Sequence, residues 1–484
     1  PTVSGALHGR SVSGTYNTAI GRCAGNTTTT GCNNFAVGCG ALVGLTTGNN
    51  NIGVGFRSLS NTTVGINNTA LGCNTLERNI TGINNVAIGY QALQCNTCAS
   101  NNIGIGYGVL RNNTTGDDNI GLGACVMCGT SVGIKSIAIG RCTLTPGGGS
   151  CNIGIGYGAG QGLCGGGGNI ALGTNALCAM RQCTNNIAIG SSAQFCNVTG
   201  KNNIAIGDFA HRNSQSGCYN IALGRYAICG GSGSLPGSCH NIAIGCGTLR
   251  QTGTGYHNIA IGAHAARFNC AGCFNIGVGK GSLYCIANRA SCNIGIGVYA
   301  LKCNLKGYVN IGIGLCALAN NFIGNNNIAI GNSSGCLIFT GNNNVVLGSN
   351  SAEWIANTSN NVLISDGAGN SKLTVNCNNA WGLGTTVDFG AAGCVLKSAG
   401  TTGTVYWGGA TMANATPTVS GALYGRSVSG TYNTAIGRCA GNTTHTGNNN
   451  FAVGCGALVA LTSGGNNIAV GFRSQSNTTI GANN

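Results

Sequence analysis

The hexapeptide NNIAIG occurs at Asn185–Gly190 and again at Asn202–Gly207, and close variants of it recur along most of the 484-residue chain. Its last residue, the closing glycine, returns mostly every 17 residues, with single spacings of 16, 18 and 21. The twenty copies end at Gly21, Gly38, Gly55, Gly72, Gly89, Gly106, Gly123, Gly140, Gly156, Gly173, Gly190, Gly207, Gly224, Gly245, Gly262, Gly279, Gly297, Gly314, Gly331 and Gly348. A short repeat of nearly constant length is typical of a solenoid, in which each copy forms one coil that stacks on the next.

The pattern inside each copy predicts β-structure, because 17 residues are too few for a helix pair and β-branched residues alternate with small ones. The residues one and three before the closing glycine are aliphatic almost throughout, and strand alternation puts them on one face. We therefore predict an all-β fold, a parallel β-solenoid (β-roll or β-helix) whose core is this aliphatic pair. The Ala or Gly between the two is expected to press against another backbone, in a single-chain interior or at a threefold axis. An Ala-Leu pair three and four residues after the glycine, as in Ala92-Leu93 and Ala176-Leu177, predicts a second strand.

An asparagine column accompanies the repeat. The residue four before the closing glycine is Asn in nineteen of the twenty copies, and Ser136 is the exception. In stacked coils these amides would lie above one another and hydrogen-bond along the axis as an Asn ladder. The ladder is assigned to Asn85, Asn102, Asn119, Asn152, Asn169, Asn186, Asn203, Asn220, Asn241 and Asn258.

Three regions follow from the repeat. Residues 1–348 are predicted to form a solenoid of about twenty coils, and residues 349–416, which hold all three Trp, a divergent β connector. Residues 417–484 repeat residues 1–68 with 58 of 68 positions identical, so they are read as the start of the next array. This second, longer repeat predicts that the chain contains slightly more than one repeating unit of a longer protein.

The composition limits the classes of function that the chain is expected to have. The net charge of +15 comes from 22 Lys+Arg against 7 Asp+Glu, but no basic run suggests a nucleic-acid partner, and no apolar stretch approaches the 18 residues of a membrane span. The 29 cysteines favour an oxidising, extracellular or surface location. The acidic residues are scattered, so neither the paired carboxylates of a glycosidase nor a cofactor site is expected, and no catalytic residue is assigned.

Cysteines that fall in one column on neighbouring coils are predicted to form disulfides between coils or between chains. These candidates are Cys125 with Cys142, Cys218 with Cys239, Cys273 with Cys292, and Cys285 with Cys303. Three Cys-x-x-Cys pairs also occur, at Cys95/Cys98, Cys125/Cys128 and Cys270/Cys273. Because none of them has a second ligand pair in a regular frame, no metal site is predicted.

Two surface features remain open between a functional and a structural interpretation. A basic column five residues after the closing glycine either binds anionic glycans or is a solvated edge, and it consists of Arg111, Arg212, Arg250, Arg267 and Lys302. Asn-x-Ser/Thr sequons occur about as often as this composition gives by chance, so they are only possible glycosylation sites. The sequons singled out are Asn26, Asn61, Asn79, Asn197, Asn332 and Asn442.

The motif NNIAIG followed by Ala-Leu resembles the head repeats of trimeric autotransporter adhesins, and NNVAIGYQAL at Asn84–Leu93 is similar to the 17-residue repeats of phage and large-virus tail-fibre proteins. The segment GAAGCVLKSAGTTGTVYWG at Gly390–Gly408 resembles a linker of such fibres. This resemblance implies a trimeric fibre. The expected function is a structural subunit of an extracellular or virion-surface filament that self-associates as a homotrimer. The alternative is an adhesin or fibre shaft that binds surface glycans through its loops or spacer, and an enzyme is not expected.

Overall fold

The structure of the chain is a computed structural model. It describes residues 14–25, 29–129, 133–179, 181–196, 199–213, 216–230, 238–251, 253–269, 271–286, 289–378, 381–383, 394–398, 405–409, 434–436, 440, 447–477 and 479–483. The chain forms two compact units, Pro1–Asn379 with Gly384–Val387, and Ala380–Leu383 with Asp388–Asn484.

The chain is an all-β parallel solenoid of about 22 stacked coils with a 17-residue repeat, as the sequence predicts. In the first unit each coil contributes one three-residue strand to a long main sheet. These strands are Thr18–Ile20, Phe35–Val37, Ile52–Val54, Thr69–Leu71, Val86–Ile88, Ile103–Ile105, Ile120–Leu122, Ile137–Ile139, Ile153–Ile155, Ile170–Leu172, Ile187–Ile189, Ile204–Ile206, Ile221–Leu223, Ile242–Ile244, Ile259–Ile261, Ile276–Val278, Ile294–Ile296, Ile311–Ile313, Ile328–Ile330 and Val345–Leu347. Neighbours pair in parallel and in register, so that equivalent positions form columns along the axis, as with Ile187 beside Ile204.

The two faces of the main sheet are the reverse of the sequence prediction. In the strand Ile187–Ile189, the central Ala188 is fully buried and the flanking isoleucines are only half-buried. In eleven of the twenty coils the interior is filled by a leucine four residues after the closing glycine. A Cβ built on Gly104, which holds the central position of its own strand, would lie 3.4 Å from Leu93 Cδ1. Beside these leucines the inner face takes a methyl group or a hydrogen, and the large aliphatic side chains point outward; the larger Val346 and Leu363 occupy the inner position at the end of the array.

The Ala-Leu pair does not form the predicted second strand. Ala92 and Leu93 are fully buried, but the segment is a series of turns in which Gln91 and Leu93 have φ values of 55° and 52°. It is still hydrogen-bonded along the axis, because the Leu93 N–H donates to the Val109 carbonyl at 2.9 Å. A positive φ at leucine costs about 1–3 kcal/mol, and burial of the side chain, worth about 1.5–3 kcal/mol, offsets it. Among the described residues, two-residue strands follow this turn segment in three consecutive coils and form one three-stranded sheet. These strands are Phe268–Asn269, Cys285–Ile286 and Cys303–Asn304.

The main sheet continues into the segment that the sequence assigns to the connector. Val362–Ser365 pairs in parallel with Val345–Leu347, and Ser371–Val375 then pairs with it in antiparallel orientation. A short 3-10 helix at Glu353–Ile355 lies in the segment of chain that joins Val345–Leu347 to Val362–Ser365. Within the described residues, no helix has the length and apolar character required to cross a membrane.

The second unit repeats the same coil geometry. Its strands Thr434–Ile436, Phe451–Val453 and Ile468–Val470 pair in parallel, with Ala452 and Ala469 buried at the central position. The unit also contains the strand Trp381–Leu383 and an antiparallel hairpin. The hairpin consists of Cys394–Ser398 and Val405–Gly409.

Candidate functional site

The most regular polar feature of the solenoid is the asparagine column. Asn186 is fully buried, and its Oδ1 accepts hydrogen bonds from the backbone N–H and the side-chain Nδ2 of Asn203 at 3.0 and 3.1 Å. Its own Nδ2 donates to Asn169 Oδ1 at 3.1 Å and to the Gly200 carbonyl at 2.9 Å. The ten assigned asparagines are all at most 2 % exposed. The buried Asn186 amide is therefore bonded to both neighbouring coils, which offsets the cost of burying it.

The serine that interrupts the asparagine column keeps part of the pattern. The Ser136 N–H donates to Asn119 Oδ1 at 3.0 Å, and the Ser136 hydroxyl accepts from the Asn152 N–H at 3.2 Å. A hydroxyl can thus replace the amide oxygen as the acceptor for the next coil. Its single proton lies within reach of the Ile134 and Gly149 carbonyl oxygens, both 3.4 Å from the hydroxyl oxygen, so it can donate to only one of them at a time.

A second asparagine column, on the surface, escaped the sequence analysis. It lies one residue before the buried column, and its side chains bond Nδ2 to Oδ1 from coil to coil at 3.0–3.2 Å. The series runs through Asn33, Asn50, Asn67, Asn84, Asn101 and Asp118. All six have φ values of 57–60°, a left-handed conformation that Asn and Asp tolerate. The repeated Asn-Asn doublet was the signal for this column.

The register of the coils brings three of the four predicted cysteine pairs side by side. Cys285 and Cys303 are direct partners in the short three-stranded sheet. The 17-residue offset between the strands at Ile120 and Ile137 places Cys125 beside Cys142. The Cys218 N–H lies 3.2 Å from Cys239 Sγ. No disulfide is seen among the cysteines that the structure describes, so the cross-links stay a prediction.

The fourth pair, Cys273 with Cys292, does not share a column. The strands at Ile276 and Ile294 are offset by 18 residues, so the column partner of Cys273 is Ser291. The Cys273 N–H accordingly donates to Ser291 Oγ at 3.0 Å, while Cys292 stands one residue further along. The extra residue of this coil lies before Ser291, and counting back from the closing glycines gives the same result, since Cys273 stands six residues before Gly279 and Cys292 five before Gly297.

Burial makes several thiols poor nucleophiles. Desolvation raises the pKa of the Cys183 thiol to about 12, and burial also raises the thiol pKa of Cys128, Cys178 and Cys336. Because the thiolate is the reactive form, these side chains oxidise slowly once the coils have closed.

The candidate sequons differ in how exposed their asparagines are. Asn61 and Asn332 are exposed, whereas Asn79 is fully buried and its Nδ2 donates to the Gly82 carbonyl at 3.1 Å. The amide that a glycan would modify is therefore inaccessible at Asn79 in the folded chain, and this assignment is wrong for the folded state. The other three, Asn26, Asn197 and Asn442, lie outside the described residues.

The basic column lies against aromatic rings. Arg212 stands over the rings of Phe195 and Phe209 at 5.4 and 5.1 Å. Arg250 and Lys302 stand over tyrosine rings at 5.0 and 5.2 Å. Arg267 lies over the Phe268 ring at 5.1 Å, and its guanidinium donates to the Tyr284 hydroxyl at 3.0 Å. Arg111 instead donates through Nε to Gln94 Oε1 at 3.2 Å.

One buried polar pair interrupts the leucine column. Gln194 and His211 occupy the positions held by Leu177 and Leu249 in other coils, and Gln194 Nε2 lies 3.3 Å from His211 Nδ1. Burial lowers the pKa of His211 to about 4, so the ring is neutral at pH 7. Sequence reasoning passed over this pair because it contains no recognisable motif.

Replacement of His211 is expected to change how stability depends on pH. The unfolded chain binds a proton near pH 6.5 but the folded chain only near pH 4, so stability is complete above about 6.5 and falls as the pH drops towards 4. The loss amounts to at most about 3 kcal/mol. His211→Gln, which places a second glutamine beside Gln194, should flatten this part of the profile. Hydrogen–deuterium exchange of the 190–213 region at pH 7 and pH 4.5 measures it, and equal slopes in both proteins would refute the assignment.

No group of three or more His, Cys, Asp or Glu among the described residues is arranged to hold a metal ion. Comparisons with protein-family models, with curated proteins and with solved structures find no match to this chain. The resemblance to adhesin heads and tail-fibre repeats therefore stays a prediction, and the functional argument depends on the geometry of the chain alone.

Proposed function

We propose that the chain is a structural subunit of an extracellular or virion-surface fibre. The observation that carries this proposal is the uniformity of the coil, in which the same strand, glycine, buried alanine and buried asparagine return along the stack. An enzyme or a receptor concentrates unusual residues at one place. This chain instead repeats one set of contacts along an axis, as expected of a protein whose task is to be long and stiff.

The buried asparagines are proposed to act as an axial ladder. Each of the assigned side chains lies in the same column, and the amide of one coil is the acceptor for the next. Such a chain of bonds sets the register between coils, since a slip by one residue would leave buried amides without partners. Correct stacking is what a long fibre needs most.

Self-association as a homotrimer is proposed to occur through the outward face of the main sheet. The isoleucines on this face remain substantially exposed in the single chain, with Ile206 at 40 %, Ile244 at 37 % and Ile261 at 37 %. An aliphatic stripe two side chains wide along twenty strands exceeds the few hundred Å² that monomeric proteins commonly expose. A second copy of the same face offers a complementary apolar surface of equal length.

Disulfides between coils or chains and an oxidising location complete the proposal. The in-register pairs Cys285/Cys303 and Cys125/Cys142 would each close a loop of about one coil. In the chain-entropy account, a loop of about 15 residues contributes roughly 3 kcal/mol. A fibre exposed outside a cell or on a virion benefits from such cross-links, because unfolding at one coil then spreads less easily.

Charges placed on the outward face are expected to abolish self-association. The triple variant Ile206→Lys, Ile244→Lys and Ile261→Lys should be a folded monomer where the wild-type chain is a trimer, since burying three ammonium groups is prohibitive. Sedimentation analysis under native, non-reducing conditions reports the mass, and electron microscopy of the wild-type protein reports filaments.

The matched control carries the same substitutions at equally exposed aliphatic residues away from the main sheet. These are Val64, Ile134 and Ile323, which are 42–45 % exposed. This control should keep the wild-type mass. A wild-type chain that is monomeric at micromolar concentration would contradict the proposal, as would a triple variant that still forms trimers.

A further inference from the structure

The middle of the solenoid carries an unusual distribution of charge. Residues 209–352 contain eight Lys or Arg and no Asp or Glu. All eight fall on six consecutive coils, and the last two coils also hold Arg289 and Lys306. One cation from each coil is considered below: Arg212, Arg225, Arg250, Arg267, Lys280 and Lys302. Because stacked coils lie about 4.8 Å apart, these cations recur at the interval of the coils themselves.

The six cations lie on one side of the solenoid. Four of them come five residues after a closing glycine, and Arg225 and Lys280 come directly after one. The two positions face each other across a tyrosine, because Arg225 and Arg250 approach the Tyr226 ring at 4.9 and 5.0 Å. The side chains thus form one band along the coils, which we call the cationic track.

The cationic track has no acidic partner within the described residues. The two ion pairs of the described chain lie elsewhere, at Arg57–Glu77 and Lys372–Asp366. The guanidinium groups are held instead by aromatic faces, and Arg212 Nε and Arg267 Nε are buried with no hydrogen-bond partner among the described residues. Rings attract a cation without neutralising it, so the charge of the track stays available to an anion.

A cavity opens at the end of the cationic track. It measures about 310 Å³ and is lined by His264, Lys280, Gly281, Tyr284, Tyr299 and Lys302. Burial, followed by the charges of Arg267, Arg250 and Lys280, lowers the pKa of His264, and its Nδ1 has no partner among the described residues. A neutral imidazole, two tyrosines and two ammonium groups can bind both hydroxyl and anionic groups of one ligand.

A glycine gives this cavity its shape. Gly281 has φ of 62°, and a Cβ there would come within 2.6 and 2.7 Å of Tyr299 ring carbons. Its absence allows the Tyr299 ring to lie over the preceding coil, with Lys302 Nζ 5.2 Å from the ring centroid. The cavity therefore combines a half-buried aromatic face with a cation beside it, an arrangement suited to a sugar ring that carries an acidic substituent.

We propose that the cationic track binds a linear anionic polysaccharide, with one carboxylated or sulfated sugar at successive coils. A band that offers such a cation on every coil matches a polymer whose charges recur once per sugar along its length. A nucleic-acid strand would require open aromatic platforms for its bases, whereas most rings of the track are occupied by guanidinium groups. The inference goes beyond the structural role and holds equally for a single chain and for a fibre.

Binding is tested on the full chain with heparin as the sulfated polysaccharide and polygalacturonate as the carboxylated one. Neutral dextran and oligothymidylate are the comparison ligands. We expect binding to at least one anionic polysaccharide and none to dextran, with an affinity that falls steeply as salt is raised. Removing two cations, as in Lys280→Gln with Lys302→Gln, should weaken binding roughly tenfold or more.

The matched control removes two exposed cations outside the track, Arg181→Gln with Lys201→Gln, and should bind like the wild type. Protection of Lys280 and Lys302 from acetylation by the bound polysaccharide gives a second measurement on the unaltered chain. Equal losses in both double variants, or absence of protection at these lysines, would overturn the assignment of the site. Tighter binding of oligothymidylate than of either polysaccharide would overturn the assignment of the ligand.

Discussion

Gly190→Ala is expected to disrupt the stack at two coils. A Cβ at this position would lie 2.7 Å from the Gly207 carbonyl carbon and 2.8 Å from its oxygen, well inside van der Waals contact. The φ of 127° at Gly190 is also a conformation that residues with a side chain rarely adopt. Steric overlap and backbone strain add up, so we expect a loss of about 4 kcal/mol or more.

The backbone cannot move away to relieve this contact. The Gly190 N–H donates to the Leu172 carbonyl at 2.8 Å, and the Gly207 N–H donates to the Ile189 carbonyl at 2.8 Å. Separating the two coils would therefore break axial hydrogen bonds on both sides of the substituted residue. This is the physical reason that the closing position is glycine in all twenty copies.

The matched control for Gly190→Ala is Gly165→Ala. Gly165 has no positive φ, and a Cβ there meets nothing within 4 Å. Hydrogen–deuterium exchange on peptides from neighbouring coils should show loss of protection spreading from residue 190 in the first variant and wild-type protection in the second. Equal protection in both variants would mean that the coils are spaced more widely than the structure shows.

The sequence repeat predicted the solenoid coil because the same pattern of residues recurs in many copies. A period of 17, an invariant glycine and an asparagine column can only be satisfied together by parallel stacking in register, and the structure confirms the parallel solenoid. The alignment of Asn85 and its equivalents in one column followed from the same regularity, whereas their burial is a finding of the structure. Even the pairing of Cys285 with Cys303 depends only on counting residues between closing glycines.

The orientation of the strands could not be predicted in the same way. Strand alternation shows that Ile187 and Ala188 lie on opposite faces, but hydrophobicity alone assigns the larger residue to the core. The width of the interior decides otherwise, and it depends on the buried leucine such as Leu177, whose left-handed backbone has no sequence signature comparable to glycine.

Asn186→Ala is expected to destabilise the coils on both sides of the substitution. The alanine leaves the Asn203 N–H and Nδ2 without the acceptor that they share, and leaves the Gly200 carbonyl without its donor. Asn186 and Asn203 are both fully buried, so water cannot replace these bonds without opening the stack. At about 1–3 kcal/mol for each of the three buried groups, the total is at least about 3 kcal/mol.

The chain itself provides the matched comparison for Asn186→Ala. Ser136 stands in the same column, accepts from the next coil through its hydroxyl and lies 3.4 Å from the Gly149 carbonyl. Asn186→Ser should therefore restore the acceptor for Asn203 and a long donor contact to Gly200, but not the bond to Asn169 Oδ1. Its loss of stability is therefore expected to be smaller than that of the alanine variant by about 1 kcal/mol or more. Exchange protection of the Asn203 amide distinguishes the two, since that N–H should exchange fastest in the alanine variant. If serine and alanine are equally destabilising, the column contributes through packing of the amide group and not through the axial hydrogen bonds.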